Sequence, residues 1–199
     1  MIYPVGKEYK KMTQNYEKSV VTDKNLNERY EFRDILAEEA DQAVTIEKIC
    51  FPPNEACSEK MMRERAVNVS DLFLTAVDRE TGKIAGFLNG ISTDEDCFRD
   101  EFFTDASLHN AVEKNVMLLG LDVLPEYRGH GLAREIVSRY LKRENERNRK
   151  TVILTCLESK IKMYEKMGFQ NNGLANSSWG GEQWYEMRYE LNESYGKKQ

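Results

Sequence analysis

The stretch "LDVLPEYRGHGLA" (residues 121–133) connects a strand to a helix through a turn that contains two glycines. Alternating apolar residues end before Pro125, and a helical pattern begins after Gly131. Gly129 and Gly131 let the backbone curl without a Cβ, close to the positive end of the helix dipole. A turn of this kind binds phosphate or pyrophosphate, or is simply a strand-to-helix connection that needs glycine. Its spacing matches neither a Walker A loop nor the GxGxxG pattern of dinucleotide-binding proteins.

The segments on either side of this turn predict a βαβ unit. The strand "VMLLGLDV" (116–123) is almost entirely apolar and therefore central, the helix covers 132–147, and "TVILTCL" (151–157) is the second, parallel strand. A buried helical stripe is expected at Leu132, Ile136, Val137, Tyr140 and Leu141. Further strands are predicted at 30–35, 72–78, 84–93 and 184–191, and further helices at 37–51, 58–68 and 161–167. This order predicts an α/β fold with a mixed sheet and helices on both faces.

The composition limits the classes of protein that this chain can represent. Of its 199 residues, 40% are hydrophobic and 32% are charged, and the net charge is −5. A chain of this length predicts one domain, over residues 29–192. Residues 1–28 are polar and rich in lysine, which predicts an N-terminal extension, and residues 193–199 are predicted to form a tail. A mildly acidic chain is a poor nucleic-acid binder, so we expect no nucleic-acid partner. Its sequence has no apolar run of the length that a membrane helix needs, so we expect no membrane partner and a cytoplasmic location. The four cysteines form no CxxC pair, so we expect no metal site.

The stretch "VLPEYRGHGLA" (123–133) closely resembles the acetyl-CoA signature of the GNAT superfamily of N-acetyltransferases. "MYEKMGF" (163–169) is similar to a second signature of that superfamily. Within it, "IEKICF", "DEDCFRDEFF" and "GGEQWYEMRYEL" look most like the arylalkylamine, or serotonin-type, N-acetyltransferases. The resemblance covers about residues 30–192 and implies a GNAT-type central sheet of about six to seven strands.

The resemblance also implies acetyl-CoA as the cosubstrate. The backbones of Leu121 and Val123 would pair with the pantetheine arm, as an added strand does, and the glycine turn would hold the pyrophosphate. The two parallel strands would splay beyond Val123 to open a slot for it. The implied cofactor contacts are Leu121, Val123, Arg128, Gly129, His130, Gly131, Leu132 and Ala133.

Acetyl transfer to an amine requires a proton acceptor for the amine and a proton donor for the departing thiolate. Tyr164 matches the tyrosine that serves the family as general acid. Met117 and Leu119 occupy the positions where the arylalkylamine subfamily carries two histidines, and neither side chain can accept a proton. Glu47 and His109 are the candidate bases, and a basic amine can also lose its proton to bulk water.

The acceptor is an amine that the sequence does not identify. Phe51 aligns with an aromatic residue of the acceptor wall, and the segment 94–105 is either an acidic, aromatic loop suited to a cationic amine or a solvated amphipathic helix. A small-molecule amine is expected, with a protein amine as the other possibility. The predicted function is N-acetyl transfer from acetyl-CoA in a ternary complex. The alternatives are a non-catalytic acyl-CoA-binding module on the same fold and a phosphate binder of another class. The protein is expected to be a monomer or a homodimer, with the last strand as a possible exposed edge.

Overall fold

The structure is a computed structural model that describes residues 25–191. Its strands are β1 (Tyr30–Asp34), β2 (Phe73–Asp78), β3 (Ile84–Thr93), β4 (Asn115–Val123), β5 (Thr151–Cys156), β6 (Gln170–Leu174) and β7 (Tyr185–Glu190). The helices between them are α1 (Ala40–Cys50), α2 (Glu59–Asn68), α3 (Leu132–Glu146) and α4 (Ile161–Glu165). Residues 25–29 are also helical, and Leu26 packs into the core. The rest of the predicted extension, together with the predicted tail 193–199, lies outside the described residues.

The seven strands form one sheet in the order β1-β2-β3-β4-β5-β7-β6. The pair β4–β5 is parallel, with α3 as its crossover, and the other neighbouring pairs are antiparallel. This confirms the predicted α/β fold with a mixed sheet and a central βαβ unit.

Two hydrophobic clusters hold the helices to the sheet. The larger cluster contains the predicted stripe of α3, all of whose members are buried: Leu132, Ile136, Val137, Tyr140 and Leu141. In the smaller cluster, α1 and α2 pack on Phe73 and Phe87, whose rings lie 4.9 Å apart. The hydroxyl of Ser58 accepts a hydrogen bond from Met61 N–H, which makes it the N-cap of α2 as its sequence position predicts.

Two expectations about the C-terminal part of the sheet are wrong. Strand β6, with the sequence QNNGL, was not predicted, because it is short, polar and exposed and shows no apolar alternation. The last strand, β7, is not an exposed edge, since it lies between β5 and β6. In β7 only Met187 is buried, and the other five residues are partly exposed.

The segment 94–105 is a loop, so the predicted amphipathic helix is wrong. It contains a short 3-10 turn at Asp100–Phe103 rather than a long amphipathic helix. Phe98 and Phe102 are buried in the core, and Arg99 binds Glu95 through two short hydrogen bonds of 2.6 Å. Most of the aromatic content of this segment therefore anchors it to the sheet.

Candidate functional site

A cavity of about 600 Å³ lies where β4, β5, α1 and α4 meet. Apolar and aromatic side chains make up most of its wall, with a few polar groups among them. Of the residues implicated by sequence, the cavity wall includes Glu47, Phe51, Leu119, Leu121, Val123, Arg128, Ala133 and Tyr164.

The cavity opens because β4 and β5 stop pairing partway along their length. Their parallel pairing runs from Asn115 and Thr151 to Leu118 and Leu154. At the same point the register between β3 and β4 shifts, so that Leu119 is an extra residue on β4. A bulge of this kind bends the strand and increases its twist. The strands therefore splay beyond Leu118, and the predicted start of the splay beyond Val123 is wrong by five residues.

The glycine turn has the backbone that its sequence predicts. Gly129 and Gly131 have φ values of +82° and +86°, and Gly131 is the N-cap of α3. A Cβ added at either glycine would meet nothing within 4 Å, so the reason for glycine is the backbone conformation and not a close neighbour. The first N–H groups of α3 have no partner within the helix. The turn therefore offers backbone donors beside an open surface.

Arg128 lies at the border between this turn and the cavity. Its Nε donates to the carbonyl oxygen of Val123 at 2.7 Å, and the Cys50 thiol lies 3.4 Å from the same oxygen. Gly129, His130 and Gly131 are exposed and do not line the cavity, whereas the side chain of Leu132 is buried in the core. Residues 129–132 would therefore contact a bound anion only through the exposed surface and backbone of the turn.

Tyr164 projects into the cavity from α4. Its ring packs edge-on against Phe169 at 5.7 Å, and the backbone of the following turn closes on its carbonyl oxygen. Burial raises the pKa of Tyr164, with smaller contributions from Cys156 and Asp122. The phenol therefore carries its proton at neutral pH.

Glu47 is a buried carboxylate that lines the same cavity. Its side chain is 4% exposed, and its Oε1 accepts a hydrogen bond of 2.8 Å from Cys57 N–H. Burial raises the pKa of Glu47, and the nearby Arg65 partly opposes that effect. A carboxylate with a raised pKa is better suited to accept a proton near neutral pH.

His109, the other candidate base, lies elsewhere. Its Nδ1 is 3.2 Å from Ser92 N–H and 3.3 Å from Ser92 Oγ, next to the end of β3. Burial lowers the pKa of His109, so the ring is neutral at pH 7. The structure does not bring His109 to the cavity where Glu47 and Tyr164 lie. The two residues at the subfamily's histidine positions lie in different surroundings. Met117 is fully buried, whereas Leu119 lines the cavity.

Aromatic side chains from distant parts of the chain form an aromatic wall of the cavity. Phe103 stacks on Trp179 at 4.8 Å with an interplanar angle of 29°, and Trp184 lies beside them. Trp179 Nε1 donates to the carbonyl oxygen of Glu55 at 2.7 Å, and Trp184 Nε1 donates to that of Trp179 at 2.8 Å. Phe51 completes this wall. The sequence placed Phe51 here and missed Trp179, which follows a polar loop without periodicity.

Three cysteines also face the cavity. Burial raises the pKa of Cys50, Cys57 and Cys156 to about 11 in each case. Because the thiolate is the reactive form, these thiols are poor nucleophiles at neutral pH.

Over residues 25–191, no cluster of three or more His, Cys, Asp or Glu side chains is arranged to hold a metal ion. In the same range, no helix has the length and apolar character needed to cross a lipid bilayer.

Comparison with known proteins supports the fold. A family model described as "Acetyltransferase (GNAT) family" matches residues 35–169. No curated protein matches the chain in a sequence search. Among solved structures, the loading GNATL domain of CurA from Lyngbya majuscula is 14% identical, with a TM-score of 0.72. That match covers 81% of this chain and 98% of that chain.

Two other solved structures show the same fold at similarly low identity. A GNAT superfamily phosphinothricin acetyltransferase from Sinorhizobium meliloti, in complex with AcCoA, is 18% identical with a TM-score of 0.58, covering 85% of this chain and 92% of that chain. The spermidine/spermine N-acetyltransferase SpeG from Vibrio cholerae is 14% identical with a TM-score of 0.61, covering 87% and 99%.

Proposed function

Because the chain belongs to the acetyltransferase (GNAT) family, we propose that it transfers the acetyl group of acetyl-CoA to a primary amine. The transfer is direct, with both substrates bound in the one cavity. The observation that carries this proposal is that a proton donor and a proton acceptor, Tyr164 and Glu47, line the cavity that the splayed strands open.

The residues present fit an acyl-CoA molecule. The open surface over Gly129 and Gly131 and the free N–H groups of Leu132 and Ala133 suit a pyrophosphate, with Arg128 and His130 beside it. The splay beyond Leu118 leaves the main chain of Leu121 and Val123 facing the slot, where an amide-bearing arm could pair with it. Acetyl-CoA would supply the acetyl group as an activated thioester.

The chain's own groups would handle the protons. Glu47 accepts the proton of the incoming amine, directly or through a water molecule, and its buried position keeps its proton affinity high enough for that task. Tyr164, whose phenol is protonated at neutral pH, donates a proton to the departing sulfur. His109 is not part of this mechanism, because it does not reach the cavity.

The aromatic wall favours an amine with an apolar body. Phe51, Phe103, Trp179 and Trp184 offer flat faces to an apolar or cationic acceptor. We propose an arylalkylamine, or another small amine with an apolar part, as the acceptor. A cytoplasmic location and a monomeric or homodimeric state stay predictions from the sequence.

Ligand binding is tested by thermal unfolding with CoA, acetyl-CoA, ATP and NAD at equal concentrations. Selective binding of CoA raises the unfolding temperature with CoA and acetyl-CoA and leaves it unchanged with the two nucleotides. Stabilisation by ATP or NAD above that by CoA would contradict the proposal.

Turnover is tested by measuring thiol release from acetyl-CoA across a panel of arylalkylamines, polyamines, amino sugars and peptide amines. At least one amine should drive release, and Glu47→Gln should slow it about 10²-fold or more. CoA binding with no release on any amine would instead support a non-catalytic acyl-CoA-binding module. The presence of both Glu47 and Tyr164 in the cavity disfavours that alternative.

A further inference from the structure

A second carboxyl group lies beside Glu47 and plays no part in the mechanism above. Asp122 of β4 is fully buried, and it approaches Glu47 next to Gly120. A Cβ added at Gly120 would lie 3.1 Å from Asp122 Oδ2 and 3.6 Å from Glu47 Oε2. Two acidic side chains, from a strand and a helix, therefore converge on one point that only glycine leaves open.

Most oxygens of this pair lack a hydrogen-bond donor. Among the described residues, none makes a hydrogen bond of normal geometry to Glu47 Oε2 or to either oxygen of Asp122, although the Cys50 thiol approaches Asp122 and favours its ionised form. The fourth oxygen, Glu47 Oε1, binds Cys57 N–H. Buried carboxylate oxygens without a donor are costly, and two adjacent carboxylates that are both ionised are costlier still.

The neighbouring charges do not remove this cost. The titratable and charged groups that face the pair are Arg65 of α2, Cys50 of α1, Cys57, Arg128 and Tyr164. The hydrogen bonds that the structure gives to Arg65 go to the carbonyl oxygens of Phe102 and Phe103 and to Asn89. Arg128 Nε is bound to the backbone of Val123. Neither guanidinium is hydrogen-bonded to the pair within residues 25–191.

One proton between the two carboxyl groups removes one of the two buried negative charges and gives one oxygen of the other group a donor. The better holder is Asp122, because it is fully buried and does not line the cavity, whereas Glu47 faces the cavity and has a backbone donor. Burial and the adjacent Glu47 raise the pKa of Asp122 well above its usual range. This raised pKa agrees with the full burial of Asp122 and with its position beside Glu47.

We propose that Glu47 and Asp122 share one proton, with Asp122 as a neutral acid that donates to Glu47 Oε2. Asp122 is then a positioning residue, and this role rests on the proposed function of Glu47 as proton acceptor. In that step the N–H bond of the ammonium breaks, its proton moves to the Glu47 carboxylate, and the electron pair stays on nitrogen. The pair then carries two protons, and one returns to solvent before the next turnover.

The shared proton is tested in the free protein by infrared spectroscopy at pH 7. Wild type should show the C=O stretch of a protonated carboxylic acid, and Asp122→Asn should lose it. Glu38→Gln, which alters an exposed carboxyl group that does not line the cavity, should keep it. Absence of the band in wild type, or its retention in Asp122→Asn, would overturn the proposal. The measurement needs no substrate, so it stands whether or not the chain acetylates amines.

The positioning role is tested by the pH dependence of kcat/KM with an accepted amine. Asp122→Asn keeps a neutral donor beside Glu47, so its acidic limb should stay close to that of wild type. Asp122→Ala removes the donor, so the Glu47 carboxylate becomes less stable and the acidic limb should move up by about 1 pH unit. A shift of the limb to lower pH in Asp122→Asn would show that Asp122 is ionised in wild type, and an unshifted limb in Asp122→Ala would show that it does not position Glu47. Either result would overturn the proposal.

Discussion

Replacement of the buried Arg65 should lower the stability of this protein more than replacement of any comparable surface arginine. Arg65 is 1% exposed on α2. It donates to the carbonyl oxygen of Phe103 at 2.7 Å, to that of Phe102 at 3.3 Å and to Asn89 Oδ1 at 3.3 Å. It is also a cation whose charge favours the ionised form of the buried Glu47. Arg65→Met fills most of the volume but removes the charge and all of these donors.

The expected cost follows from what the substitution leaves behind. Leaving a buried hydrogen-bond acceptor without its donor costs about 1–3 kcal/mol. Arg65 serves three such acceptors, so we expect a loss of about 3–5 kcal/mol in the free energy of unfolding. For a domain of this size, each kcal/mol lowers the unfolding temperature by about 2–4 °C. Arg65→Met should therefore unfold about 6–20 °C below wild type in a thermal unfolding experiment. A urea titration should show the corresponding loss in the free energy of unfolding.

A double-mutant cycle with Glu47→Gln identifies the source of this cost. If the uncompensated Glu47 charge causes part of it, Arg65→Met should cost about 1–3 kcal/mol less in the Glu47→Gln background. Arg63→Met is the matched control on the same helix, since Arg63 pairs with Asp41 and Glu59 at the exposed surface. Its unfolding midpoint should stay near wild type. Equal costs for the two arginines, or additivity of Arg65→Met and Glu47→Gln, would refute this reasoning.

Three further outcomes are expected. Tyr164→Phe keeps the ring that packs on Phe169, so the unfolding temperature should hold while kcat for acetyl transfer falls about 10²-fold or more. The control variant Tyr189→Phe, outside the cavity, should leave kcat unchanged. Equal rates for both variants would count against Tyr164 as the acid. Gly131→Ala places a Cβ on a left-handed backbone at a cost of about 1–2 kcal/mol, and the CoA affinity measured by calorimetry should fall as the turn distorts; unchanged affinity would argue against binding at this turn. Because the pKa of Cys156 is raised to about 11, its iodoacetamide labelling, followed by mass spectrometry, should be slow at pH 7 and should accelerate as the pH rises towards 11; fast labelling at pH 7 would contradict the buried environment.

The sequence predicts the βαβ unit and the glycine turn well, because both depend on local signals. Apolar runs, a proline and two glycines at fixed spacing determine β4, its turn and α3. It fails on β6, where five mostly polar residues pair with β7 through backbone bonds that carry no side-chain pattern. It also misplaces the splay, since the bulge at Leu119 depends on register against β3 and leaves no mark in the apolar run.

The polar interior of the site could not be predicted for a different reason. Glu47, Arg65 and Asp122 come from separate elements. Glu47 and Arg65 lie in helices where a charged residue normally faces solvent, and Asp122 is the one charged residue in the apolar run of β4. Arg65 in particular sits in a helix rich in charged residues, and only the sheet packed beneath α2 shows which of them is buried. Sequence identified Glu47 through family resemblance, but its companion groups required the three-dimensional contacts.

The chain contains two tryptophans, and both Trp179 and Trp184 belong to the wall of the cavity. Intrinsic tryptophan fluorescence of the intact protein therefore arises entirely at this wall, with no contribution from indoles elsewhere. An amine or an acyl chain that binds against these rings changes the polarity around the indoles and the quenching of their fluorescence. Titration of the emission with ligand therefore gives a dissociation constant directly. The protein thus carries its own optical reporter for ligand screening, and no label has to be introduced near the site.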